Sequence, residues 1–128
     1  MTIPNEHGEQ SAVIEWAETR TAALPALELL YAVPNGGLRH KAVAGRLKAE
    51  GVKSGVPDLC LPVARGGYHS LYIEMKTLAG SLSEKQQQWI ARLRAEGHCA
   101  EVCYGAAEAI ERIETYLGVP LSERTQIG

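Results

Sequence analysis

Three residues have the types and spacing that a hydrolytic site needs. Asp58 follows Pro57 at the head of an alternating apolar segment, and Glu74 and Lys76 stand two apart in a second one. In a strand, residues two apart share a face. Tyr72, Glu74 and Lys76 therefore point one way, and Leu71, Ile73 and Met75 the other. The apolar set anchors the strand, so an acid and a lysine on the opposite face need a separate reason. If the two segments form a hairpin, Asp58 at the start of one strand lies opposite the end of the other, close to Glu74. Two carboxylates converging there repel unless a cation or an amine sits between them. A hard divalent ion such as Mg2+ takes oxygen ligands from one or two carboxylates and keeps other positions for water and phosphate. A nearby lysine orients the attacking water or stabilises developing charge. The chemistry this trio suits is phosphodiester hydrolysis. Taken singly, each residue has a plainer role: Asp58 as a turn acceptor, Glu74 and Lys76 as a solvated strand face.

The elements that must position them can be read from periodicity and breakers. Residues 7–22 read as a helix with Val13, Ile14, Ala17 and Trp16 as its inward candidates, and Pro25 ends it. The run 26–33 is short, apolar and followed by PNGG, which predicts a strand running into a turn. A helix over 38–50 closes at Gly51, and 52–57 is a loop. Strands over 58–64 and 68–77 flank the Gly66-Gly67 turn as an antiparallel hairpin. A helix over 83–96 is capped by Ser83 and stopped by Gly97, with Ile90 and Leu93 inward. Residues 99–104 form a strand. The closing helix over 106–117 places Ile110, Ile113 and Leu117 on one face. The order α-β-α-β-β-α-β-α predicts an α/β (α+β) mixed sheet flanked by helices. Residues 1–118 make one domain, and 119–128 read as a loose tail.

The chain has 128 residues, enough for one core, and 45% hydrophobic against 22% charged residues rules out a disordered chain. No apolar run approaches the roughly 20 residues of a membrane helix. The first ten residues lack the basic and apolar regions of a secretion signal. Three cysteines at no framework spacing indicate a reduced, cytoplasmic setting. Cys60 and Cys103 read as small core residues, and His7, His40, His69 and His98 as surface or loop residues without metal-ligand spacing. Trp16 and Trp89 read as packing groups.

Net charge is −2, but residues 39–94 hold ten of the 13 Lys and Arg with only four acids. A positive middle segment between two negative ends reads as a polarised surface, with chance clustering on so short a chain as the alternative. Arg39, Lys41, Arg46, Lys48 and Lys53 surround the helix and loop leading into Asp58, where they would contact phosphates. Asn35, in the Asn35-Gly36-Gly37 turn, could approach a nucleic-acid backbone.

The spacing Pro57, Asp58, Glu74, Lys76 resembles the PD-(D/E)XK nuclease superfamily. PNGG at 34–37, LKAEGVKSGVPDL at 47–59, LYIEMK at 71–76 and LSEKQQQWIARL at 82–93 together resemble the VRR-NUC domain. The likeness runs from about Glu6 to about Tyr104 and is of the standalone phage and prophage type. It implies a restriction-endonuclease-like fold and a structure-selective DNA endonuclease that uses Mg2+ or Mn2+. It further implies a homodimer acting on branched or double-stranded DNA such as Holliday junctions, with no membrane partner. A non-catalytic DNA-binding module and a flap or duplex nuclease are the alternatives. Residue by residue, Asp58 and Glu74 would be metal ligands, the Met75 carbonyl a third, and Lys76 the catalytic lysine. Glu6 and Gln10 match the helix acid and glutamine of the family, and Glu9 competes with Glu6. Gln86 matches the glutamine after the lysine strand. It also completes a capping box with Ser83, and one side chain is not expected to fill both roles. Leu27, Leu29, Tyr31 and the closing helix are candidates for the dimer surface.

Overall fold

Glycine and proline set most of the boundaries in the structure, a computed structural model that describes residues 5–34 and 41–126. Helix α1 spans Glu6–Arg20, and its Asn5 cap accepts a hydrogen bond from the Gly8 amide at 2.7 Å. Strand β1 is Tyr31–Ala32, α2 is Lys41–Ala49, β2 is Leu59–Leu61 and β3 is Leu71–Lys76. Helix α3 (Glu84–Ala95), strand β4 (Cys99–Tyr104) and helix α4 (Ala106–Leu117) complete the expected order.

The sheet runs β1-β2-β3-β4. The first three strands pair antiparallel, and β4 joins β3 in parallel with Leu71 opposite Cys99 and Lys76 opposite Tyr104. A parallel partner requires a crossover, which α3 supplies. Leu71, Ile73 and Met75 face a core with Val13 and Ala17 of α1, Leu59 and Leu61 of β2, and Ala109 and Ile113 of α4. Gly66 and Gly67 both have positive φ (58° and 89°), the geometry of a tight hairpin turn whose twist matches the strands.

Four expectations are corrected. The run 26–33 is not one strand. Pro25–Leu29 forms a 3-10 helix, and only Tyr31 and Ala32 pair with β2. Pro25 carries the fixed φ that starts a helical turn, and so short an apolar run does not distinguish the two structures. Strand 58–64 shrinks to Leu59–Leu61 because Pro62 has no N–H to extend the ladder. Leu27 is 3% exposed and belongs to the core, so it contributes nothing to a dimer surface. Residues 119–126 are not loose. Val119 is buried, Leu121–Glu123 forms a 3-10 turn, and Thr125 donates to buried Glu114 through its amide and its hydroxyl. The Thr125 hydroxyl also accepts from the Trp16 indole at 2.8 Å, tying the segment to α1.

Candidate active site

The site forms where β2 ends beside β3. Pairing of Leu59 with Ile73 continues to Asp58 beside Glu74, and Asp58 Oδ2 accepts a 2.7 Å hydrogen bond from the Met75 amide. The amide fixes one carboxylate oxygen, and the Glu74 carboxyl stands within hydrogen-bonding reach of Asp58. Lys76 O accepts from Gly105 N on the β4 side. Carbonyls alternate along a strand, so the Met75 carbonyl opens toward β2 and Asp58.

Glu74 and Lys76 are 2% and 7% exposed, which excludes the solvated-face explanation. Lys76 Nζ lies 3.8 Å from Glu74 Oε2 and 3.5 Å from Glu6 Oε1. Burial, and then repulsion from Asp58, push the Glu74 carboxyl up to about 8. Burial likewise raises Asp58, opposed chiefly by the Met75 amide. Glu74 Oε1 is buried, and no donor among the described residues reaches it. An acceptor in that position is satisfied by a proton or by a cation. Two crowded carboxylates, an orphaned oxygen and an adjacent backbone carbonyl are the donor set of a hard divalent ion, and the residues present fit one.

The two glutamates of α1 separate. Glu6 reaches Lys76, whereas Glu9 Oε2 accepts from the Ala106 amide at 2.8 Å, capping α4, whose own cap residue Gly105 has no side chain to do so. Glu6 pairs with the amine and does not close a three-acid cluster: among the described residues, no three His, Cys, Asp or Glu side chains are grouped to hold an ion. Gln10, one turn after Glu6, lines with it and Asp58 a cleft of about 730 Å3.

Gln86 both caps α3 and reaches Glu74. Its Oε1 accepts from the Ser83 amide at 2.9 Å, and Ser83 Oγ accepts from the Gln86 amide at 3.1 Å, closing the capping box. Its Nε2 donates to Glu74 Oε2 at 3.2 Å. The expectation of exclusivity fails because a carboxamide has an acceptor end and a donor end.

Arg46 and Lys48 lie exposed in the last turn of α2, where they also complement the helix dipole, and Lys53 is exposed in the following loop. Asn35 and Arg39 lie outside the described residues, as does the Lys41 side chain. His98 is more than a surface residue. It is half-buried, its Nδ1 lies 2.6 Å from Ser70 Oγ, and its ring meets Tyr72 edge-on. Cys60 and Cys103 are buried and unpaired.

The mixed four-stranded sheet carries two acids and a lysine at the end of its hairpin, and comparison with known proteins shows this to be a nuclease-like fold. The model of the VRR-NUC domain family matches residues 1–107, and the chain belongs to that family. A solved structure described as a VRR_NUC domain protein is 30% identical, with a TM-score of 0.77 and 93% of each chain covered. No curated protein matches the chain. Nuclease domains of this family typically use divalent metals, and a nuclease domain implies DNA as substrate.

Proposed function

We propose that the chain is a divalent-metal-dependent DNA endonuclease that hydrolyses phosphodiester bonds, with Asp58, Glu74 and the Met75 carbonyl holding Mg2+ or Mn2+. The observation that carries this reading is the buried, donor-less Glu74 Oε1 beside Asp58 and Lys76. When bound, the ion supplies the Lewis acidity that neutralises charge on the scissile phosphate. The chain's own residues do the rest. Gln86 holds Glu74 in its rotamer, and the Met75 amide holds Asp58. Lys76, held between Glu6 and Glu74, orients the attacking water and offsets the charge that develops at phosphorus. Arg39, Lys41, Arg46, Lys48 and Lys53 hold phosphates without reading sequence.

The substrate we infer is branched DNA such as a four-way junction, cut by a homodimer that sets two sites on opposing strands. A single domain this small has little surface of its own with which to grip a branch. Leu29 (52% exposed) and Tyr31 (49%, on edge strand β1) offer apolar contact for a second copy. The test incubates the protein with a labelled junction and a linear duplex in Mg2+, Mn2+ or EDTA, while light scattering weighs the species in solution. Metal-dependent cleavage of the junction, lost in Asp58→Ala and Lys76→Ala, is expected. Metal-indifferent binding without cleavage would instead make the chain a DNA-binding module.

A further inference from the structure

The hydrolytic reading leaves unexplained a groove on the other flank of α3. Lys85, Gln88, Trp89 and Arg92 recur at helical spacing on one face of that helix. Opposite them stand Lys53 of the 52–57 loop and Lys48 of α2. Two clefts, of about 590 and 460 Å3, share Lys53, Gln88 and Trp89 as common walls. The indole is half-buried and stands as a partition between them.

The groove is built by a close approach. Gly55 has φ +94°, and a Cβ there would stand 2.9 Å from both the Lys85 backbone and Trp89 Cδ1, so only glycine lets the loop seat this near α3. Lys85 Nζ donates to Ser54 Oγ at 3.1 Å across the seam. Among the described residues, none of Lys48, Lys53, Lys85 and Arg92 is in an ion pair. Glu96, one turn after Arg92, lines the smaller cleft with it. Four cations outside any ion pair, set against one acid, surround a partly exposed indole and combine phosphate attraction with a stacking face.

A duplex keeps its bases stacked inside and cannot put one into a cleft of this size, whereas an unpaired strand can. From Lys85 to Arg92 the helix advances about 10 Å, room for two or three phosphates at the ~3.4 Å per charge of a stacked strand. We propose that this groove is a single-strand track, in which an unpaired DNA segment stacks a base on Trp89 and lays its phosphates along Lys53, Lys85 and Arg92. The proposal rests on the nuclease reading for its direction. Gln86, next to Lys85, is hydrogen-bonded to Glu74, so the track leads away from the acidic site.

The chain has two tryptophans, and Trp16→Phe leaves Trp89 as the only one. Titrating that variant in EDTA with a short oligothymidylate is expected to quench Trp89 fluorescence, and a blunt duplex at equal phosphate is expected not to. Trp89→Leu should weaken binding of a labelled oligothymidylate by about five- to a hundredfold. Should that variant fold poorly, the exposed charge reversals Lys85→Glu and Arg92→Glu still decide. Each is expected to lower affinity and flatten the logarithmic salt slope by about 0.7 or more. Equal quenching by duplex, no quenching, or unchanged affinity in the charge reversals overturns the proposal. Because the titration needs no metal, it stands apart from cleavage. Absent quenching beside Asp58-dependent cleavage removes the track and leaves the nuclease. Quenching by a protein that cuts nothing removes the nuclease and leaves the track.

Discussion

Replacing Glu74 by Gln should make the metal-free protein more stable at pH 8 while abolishing its response to metal. The Glu74 carboxyl is raised from the ordinary 4.5 to about 8, first by burial and then by Asp58. Between those values the unfolded chain has released the proton and the folded chain retains it. The folded state therefore binds more protons, and stability falls as pH rises through this window, levelling above about 8. Fully expressed, that displacement corresponds to roughly 5 kcal/mol. The effective dielectric of about 20 that holds even at buried sites discounts this, so about 1–3 kcal/mol is expected. Gln cannot ionise and keeps both the shape and an acceptor for the Gln86 amide. The difference in unfolding free energy between Glu74→Gln and wild type should thus grow from near zero at pH 4.5 to its full value by pH 8. Urea denaturation at intervals across that range, in EDTA, measures it. Added Mg2+ or Mn2+ should raise the wild-type midpoint more at pH 8 than at pH 6, because the ion must displace the proton, and should leave Glu74→Gln unmoved. A pH-independent difference between the two proteins would refute the reasoning, since it would mean that Glu74 titrates alike in both states.

Lys76→Ala should lower kcat by orders of magnitude while changing DNA affinity less than severalfold, as measured by single-turnover cleavage and anisotropy. Equal losses in both would reduce Lys76 to a phosphate contact. Ser83→Ala should cost about 0.5–2 kcal/mol in thermal unfolding through loss of the α3 cap, and should also slow cleavage, because the same turn holds the carboxamide on Glu74. Glu9→Ala should cost about 1 kcal/mol by exposing the first turn of α4, and backbone exchange at Ala106 should rise most. Arg46→Ala and Lys48→Ala should each weaken DNA binding and flatten its logarithmic salt slope by about one phosphate; an unchanged slope would exclude that residue from the interface.

What the sequence disclosed of this protein was what local rules control. Strand period put Glu74 and Lys76 on one face, and the Gly66-Gly67 pair with its flanking apolar runs fixed the hairpin that brings Asp58 alongside Glu74. The bounds of β4 and α4 matched their expectation to the residue because Gly97, Gly105 and Gly118 punctuate a short strand and a strongly amphipathic helix. At Pro25–Leu29 local rules ran out: an apolar segment this short satisfies strand and helix patterns alike, and burial of Leu27 under α1 decided the outcome.

Partners distant in sequence were out of reach for the same reason. The first turn of α1 offered two glutamates with nothing local to separate them. The separation comes from the amide of Ala106, 97 residues further on, which needs an acceptor because Gly105 cannot cap its own helix. Once Glu9 is committed there, α1 is fixed in rotation, and Glu6, almost one turn earlier, is carried to Lys76. The Glu114–Thr125 pairing acts at the other end of the same helix: it holds the Trp16 indole through the Thr125 hydroxyl. Helix α1 is thereby pinned at two points that lie outside the acidic cluster, one near each end. The charge that faces Lys76 is set by those two structural contacts as much as by the presence of a glutamate at position 6, which is why spacing within the first helix alone left Glu6 and Glu9 unresolved.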